Sequence, residues 1–170
     1  MERNLERAAI RAAGPWDAGA LANLHIRTWR EAFAQVLPAP VLDAQAAAAS
    51  EQWERRLAEP GHASFWVAER RTPGDEPGEA MVGFAWAEAV GPGQVRALEL
   101  VGLYVLADYY GTGVADDLLT CAVGEAPCQL WVAGSNHRAQ NFYRRHGFAT
   151  DGASREVADW GGITVLRMVR

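Results

Sequence analysis

Leu103-Tyr-Val-Leu-Ala-Asp-Tyr-Tyr-Gly-Thr-Gly-Val-Ala-Asp-Asp-Leu-Leu119 reads as the end of a strand, a short loop and the glycine-rich start of a helix. Gly111 and Gly113 let backbone amides turn toward a ligand. The free N–H groups and positive dipole end of the following helix would hold an anion there. Gly-x-Gly alone is weak evidence, since a glycine-rich turn can simply start a helix. The stretch has neither a Walker lysine nor a complete Gly-x-Gly-x-x-Gly. An ATP or dinucleotide site therefore starts at a disadvantage, although a nucleotide-phosphate protein stays open at this point.

On the N-terminal side, Arg96 to Leu106 is the longest strand-like run, approached through Pro92 and Gly93. Phe65 to Arg70 and Met81 to Ala89 should pair as a hairpin around the turn-rich Thr72 to Gly78. Arg7 to Ala13 suits a first strand, broken by Gly14-Pro15, and Asp17 offers a cap for a helix to about Val36. Pro38 and Pro40 close that helix before a second one over Val41 to Ala58. On the C-terminal side, Gly111 to Ala122 is helical and Gln129 to Ala133 a short strand. Asn136 to His146 is a helix closed by Gly147, and Phe148 to Val157 with Ile163 to Val169 make a final strand pair. The order β-α-α-β-β-β-α-β-α-β-β is that of a mixed α/β layer around one sheet.

Composition narrows the function classes. A chain of 170 residues, 49% hydrophobic and 22% charged, suits one domain over 1–170. No apolar run approaches the roughly 18 to 20 residues that span a bilayer, and Met1 to Arg11 is charged rather than signal-like. Cys121 and Cys128 lack metal-ligand spacing and make no disulfide framework, which fits a reducing cytoplasm and no bound metal. A net charge of −5, from 16 basic and 21 acidic residues, argues against nucleic acid and suits a small cationic acceptor.

A second segment, Asn136-His-Arg-Ala-Gln-Asn-Phe-Tyr-Arg-Arg-His-Gly-Phe148, lies downstream of the glycine loop. Together the two resemble the GNAT superfamily of acetyltransferases. Its pattern has Gln/Arg-x-x-Gly-x-Gly/Ala after a strand, then Asn-x-x-Ala-x-x-Phe-Tyr and Gly-Phe. Gly113, Ala115, Asn136, Ala139, Phe142, Tyr143, Gly147 and Phe148 match it. Thr28-Trp-Arg-Glu-Ala-Phe33 followed by Leu37-Pro38 looks like the first helix and loop of many bacterial members. The resemblance implies a GNAT-like acyl-coenzyme A N-acyltransferase fold of about seven strands and about four helices. One departure stands out. Tyr110 occupies the place usual for Gln or Arg, and Asp116 with Asp117 would repel a pyrophosphate they faced.

The implied reaction moves an acetyl group from acetyl-coenzyme A, as cosubstrate, to an amine of a small molecule, peptide or protein through a tetrahedral intermediate. That chemistry needs donors near the thioester oxygen and a proton for the leaving thiolate. The resemblance assigns the donors to the backbone around Leu103, Tyr104 and Val105. It gives the coenzyme to Tyr110, Gly111, Thr112, Gly113, Val114 and Ala115, with Asn136 on the pantetheine-facing side. Tyr143 would be the acid, because a phenol keeps its proton at neutral pH; Phe142 and Tyr143 as plain core aromatics is the alternative. Glu99 is the candidate base, placed by strand alternation on the side of Val101, Leu103 and Val105. His25, Trp29, Phe33 and Trp160 are candidate acceptor-lining residues, although Leu21, His25, Trp29 and Phe33 also have the spacing of a core stripe. Exposed strand edges allow a homodimer. A non-catalytic acyl-coenzyme A binding module is the competing reading, motivated by Tyr110 and the paired aspartates.

Overall fold

The computed structural model describes residues 8–70 and 80–170. The strand expected from Arg7 begins at Ala9, Arg7 lying outside the described residues, as does the reversal expected at Thr72 to Gly78. The elements are β1 (Ala9–Ala12), α1 (Ala18–Phe33), α2 (Ala39–Ala58), β2 (Ala63–Glu69), β3 (Met81–Ala89), β4 (Leu98–Val105), α3 (Val114–Val123), β5 (Gln129–Ala133), α4 (His137–Arg145), β6 (Ala149–Val157) and β7 (Ile163–Val169). Type and order follow the sequence reading, and the differences lie at the ends. Pro40 sits in the first turn of α2, where its missing N–H costs nothing, instead of closing α1. Gly111 and Gly113 hold φ of 76° and 91°, so α3 starts at Val114, after a left-handed bend, rather than at Gly111.

The seven strands form one sheet in the order β1-β2-β3-β4-β5-β7-β6. All neighbours run antiparallel except β4 and β5, which are parallel and paired only at Glu99 with Gln129 and Leu100 with Leu130. Beyond Leu100 the two strands diverge. Arg11 on β1 secures the chain's entry into α1: its guanidinium donates to both Asp17 carboxylate oxygens, at 2.7 and 2.8 Å, and to Glu69 at 2.6 Å.

A β-bulge between β3 and β4 fixes which side chains face which layer. Trp86 opposes Gly102, yet Ala87 opposes Leu100, so β4 carries an extra residue at Val101. Leu100 and Leu103 thereby share the face covered by α3 and α4, where Leu119, Leu130, Val132, Tyr143 and Phe148 pack. Gly102 and Tyr104 lie on the other face, with Phe84 and Trp86 against α1 and α2. A Cβ at Gly102 would come within 2.5 Å of Trp86, so the indole lies directly across the strand there. Among the described residues no helix is long and apolar enough to cross a membrane.

Candidate active site

Where β4 and β5 part, a cavity of about 550 Å³ opens. Leu103, Val105 and Tyr143 line it from the α3/α4 face, and Thr28, Ala32, Phe33 and Tyr104 from the α1/α2 face. The cavity therefore passes through the sheet. Tyr110, Gly111 and Ala115 border it at the start of α3, and Asn136, Arg138, Ala139, Phe142 and Arg145 along α4.

Local folding positions these groups. Asn136 caps α4, its Oδ1 accepting from the Ala139 N–H at 3.0 Å. Gln140, buried, donates to the carbonyls of Ala133 (3.2 Å) and Gly134 (2.9 Å), and so fixes the turn from β5 into α4. That turn sets the angle at which α4 presents Tyr143. The Tyr143 ring sits edge-on to Phe142 and Phe148, at 5.4 and 5.8 Å, and only 8% of the residue is exposed. Desolvation pushes its phenol well above the ordinary tyrosine range, with Tyr104 and Cys128 adding to the rise. The group is a protonated donor at neutral pH.

The anion cradle at α3 fits a phosphate on structural grounds. Gly113, the N-cap, has no side-chain cap of its own, so the first-turn N–H groups of α3 remain open to a ligand. A Cβ at Gly111 or Gly113 would meet nothing within 4 Å, which leaves the approach clear. Thr112 turns its hydroxyl back onto the Tyr109 carbonyl at 2.7 Å. Positive charge comes from α4: the Arg138 guanidinium stacks over the Tyr110 ring, 3.5 Å from its centroid. A cation thus stands beside Tyr110, at the place where the family pattern has Gln or Arg. Asp116 turns to His146 Nε2 at 2.9 Å, and neither Asp116 nor Asp117 lines the cavity.

The expected site residues thus divide. Leu103, Tyr104, Val105, Tyr110, Gly111, Ala115, Asn136, Tyr143 and Phe33 converge on the cavity. Thr112, Gly113 and Val114 shape the loop behind it, Val114 as a buried core residue. Trp29 and Trp160 pack edge to face on each other at 5.0 Å, in a cluster with Phe33, Leu37 and Ala133, and do not line the cavity. Glu99 lies elsewhere. The bulge puts it on the face opposite Leu103, contrary to simple alternation, and its Oε2 accepts from Gln129 Nε2 at 2.6 Å. Five positions of strand, about 15 Å, separate it from Tyr104. Arg138, Arg145, Tyr109 and Thr28 were not anticipated from the sequence. The seven-residue spacing of Arg138 and Arg145, two helical turns on the helix carrying Asn136 and Tyr143, was the available signal.

Residues 61–150, more than half of the chain, match the family described as acetyltransferase (GNAT) domain. A probable N-acetyltransferase of Mycobacterium tuberculosis is 28% identical over 162 residues, covering 92% of this chain and 88% of that protein. Among solved structures, the PaiA N-acetyltransferase of Thermoplasma acidophilum in complex with coenzyme A aligns with a TM-score of 0.72 at 17% identity, over 94% of this chain and 97% of that one. Arabidopsis thaliana NAA60 in complex with a bisubstrate analogue aligns with a TM-score of 0.70 at 18% identity, over 96% and 97%. The sheet that divides between β4 and β5, the open glycine cradle before α3 and the family match agree, and the chain belongs to the GNAT acetyltransferases.

Proposed function

We propose that the protein transfers an acetyl group from acetyl-coenzyme A to an amine, with residues 1–170 acting as one unit. The observation that carries this reading is the cavity through the sheet, on which a buried phenol, an uncapped helix N-terminus and a stacked guanidinium converge. The α3 N-terminus and Arg138 would hold the pyrophosphate, and the α4 face from Asn136 to Tyr143 the pantetheine arm. Acetyl-coenzyme A supplies a thioester, whose acyl group is activated and whose thiol is a good leaving group.

Along the diverging end of β4, the backbone N–H groups near Leu103 to Val105 would donate to the carbonyl oxygen as it gains charge. Tyr143 donates its phenolic proton to the departing sulfur as the amine nitrogen bonds to the acetyl carbon and the carbon–sulfur bond breaks. The desolvation that disfavours the phenolate would disfavour the departing thiolate as well, which favours moving the proton onto sulfur as it leaves. The amine's proton would leave to water in the opening, because Glu99 is held by Gln129 and does not line the cavity.

Calorimetric titration of acetyl-coenzyme A, followed by a thiol-release assay over a panel of amines, tests the proposal. Saturable binding and turnover are expected. Tyr143→Phe should lower kcat by about 100-fold or more and change the Kd of acetyl-coenzyme A little. Binding without release on any amine would instead indicate an acyl-coenzyme A binding module.

A further inference from the structure

The α1/α2 face of the sheet holds a half-buried cation that, among the described residues, forms no ion pair. Arg56, near the C-terminal end of α2, lays its guanidinium over two indole rings, 5.3 Å from the centroid of Trp53 and 5.4 Å from that of Trp86. Among the described residues, its buried Nη1 has no hydrogen-bond partner. Glu88 is the carboxylate whose field it feels most, but Glu88 is exposed and forms no ion pair with it. Burying part of a guanidinium without a hydrogen-bond acceptor is costly, and stacking on indoles offsets only a fraction of that cost.

A second orphan donor touches the same two rings. His25 packs edge-on to Trp53 and Trp86, at 5.8 and 6.0 Å. Its Nδ1 accepts from Trp53 Nε1 at 3.2 Å, which assigns the imidazole proton to Nε2, and Nε2 is buried with no partner. Both groups are donors, and although neither lines the cavity, each touches a residue beside it. Tyr104, which lines it, is 5.2 Å from the His25 ring, and Trp86, beneath Arg56, lies across Gly102, immediately before the cavity-lining Leu103. An ammonium group would be repelled at such a place. A planar anion with two oxygens would satisfy both donors, and the guanidinium fork is shaped for a carboxylate.

We propose that Arg56, assisted by the Nε2–H of His25, binds the carboxylate of the acceptor, so that the amine acetylated by this protein belongs to an amino acid. The proposal rests on the acetyl-transfer reading and extends it from any amine to amines that carry a carboxylate. The surrounding rings of Trp53, Phe84 and Trp86 would exclude water and strengthen that ion pair.

Two readouts test it. In the first, thiol release is compared for matched acceptors: phenylalanine, leucine and methionine against their amides and the amines lacking the carboxyl group. The wild type should favour the amino acids in kcat/KM by about 10- to 100-fold, the range for a hydrogen-bonded charge. Arg56→Gln should erase that preference without altering acetyl-coenzyme A binding, and Arg56→Lys should restore part of it. In the second, which needs no turnover, the intrinsic tryptophan fluorescence, to which Trp53 and Trp86 contribute, is followed during titration with the N-acetylated amino acids and their amides, and the part of the change that Arg56→Gln removes is assigned to the site. A saturable change with the acids, weakened at least tenfold in Arg56→Gln, supports the site. Equal responses to acid and amide, or no response to either, would mean that Arg56 only packs against the indoles. Loss of acetyl-coenzyme A binding in the wild type, by contrast, would count against acetyl transfer itself, while the fluorescence result would still decide the carboxylate site.

Discussion

At the scale of single residues, burial sets the chemistry more than identity does. His25 is enclosed by aromatic rings, and desolvation, with Arg56 adding to it, lowers its pKa to about 4. An unfolded chain would protonate this imidazole near pH 6.5, whereas the folded one resists until about pH 4. Stability from the neutral imidazole is therefore fully present above about pH 6.5 and is lost as pH falls toward 4, by up to ~1.4 kcal/mol per unit. His25→Phe should flatten this dependence: its urea midpoint should fall less between pH 7 and pH 4.5 than that of the wild type. Equal falls would show that other groups dominate. The same contrast separates the residues that could be read from the chain from those that could not. Tyr143, Asn136, Gly111 and Ala115 sit in the two ordered motifs that carry the family resemblance, and all four line the cavity. The roles of Arg56 and His25 depend on a shared pair of indoles contributed by α2 and β3, which no local pattern encodes.

At the scale of elements, sequence periodicity located nearly every helix and strand, because each has an apolar face and a clear breaker at its end. It failed where two strands had to be counted against each other. The extra residue of β4 at Val101 reverses the facing of everything before it, and alternation along one strand therefore misplaced Glu99. A bulge is a property of a pair of strands. The proposed anion cradle is likewise shared, since α3 would supply the N–H groups and α4 the cation. Arg138→Ala should weaken acetyl-coenzyme A binding by about 10-fold or more and steepen no other defect, leaving kcat near that of the wild type. Calorimetry with saturation kinetics would check this; an unchanged Kd would place the guanidinium outside the phosphate site.

At the scale of the whole molecule, Arg170 ties together elements distant in sequence. Its guanidinium donates to the carbonyls of Gly124 (2.6 Å), Ala126 (3.0 Å) and His146 (3.3 Å), and lies 4.7 Å from the centroid of Phe148. These groups follow the ends of α3 and α4, so one side chain holds the two helices that border the cavity. Arg170→Ala should cost about 2–3 kcal/mol by leaving partly buried carbonyls without donors. A urea midpoint displaced by less than a tenth of its value would contradict that estimate. The short pairing of β4 with β5 has a mechanical consequence. Only Glu99 with Gln129 and Leu100 with Leu130 join β1–β4 to β5, β7 and β6 along the backbone, so the sheet is two plates riveted at one corner. A molecule seated in the gap would brace one plate against the other, and the protein should stiffen across the gap when it is loaded.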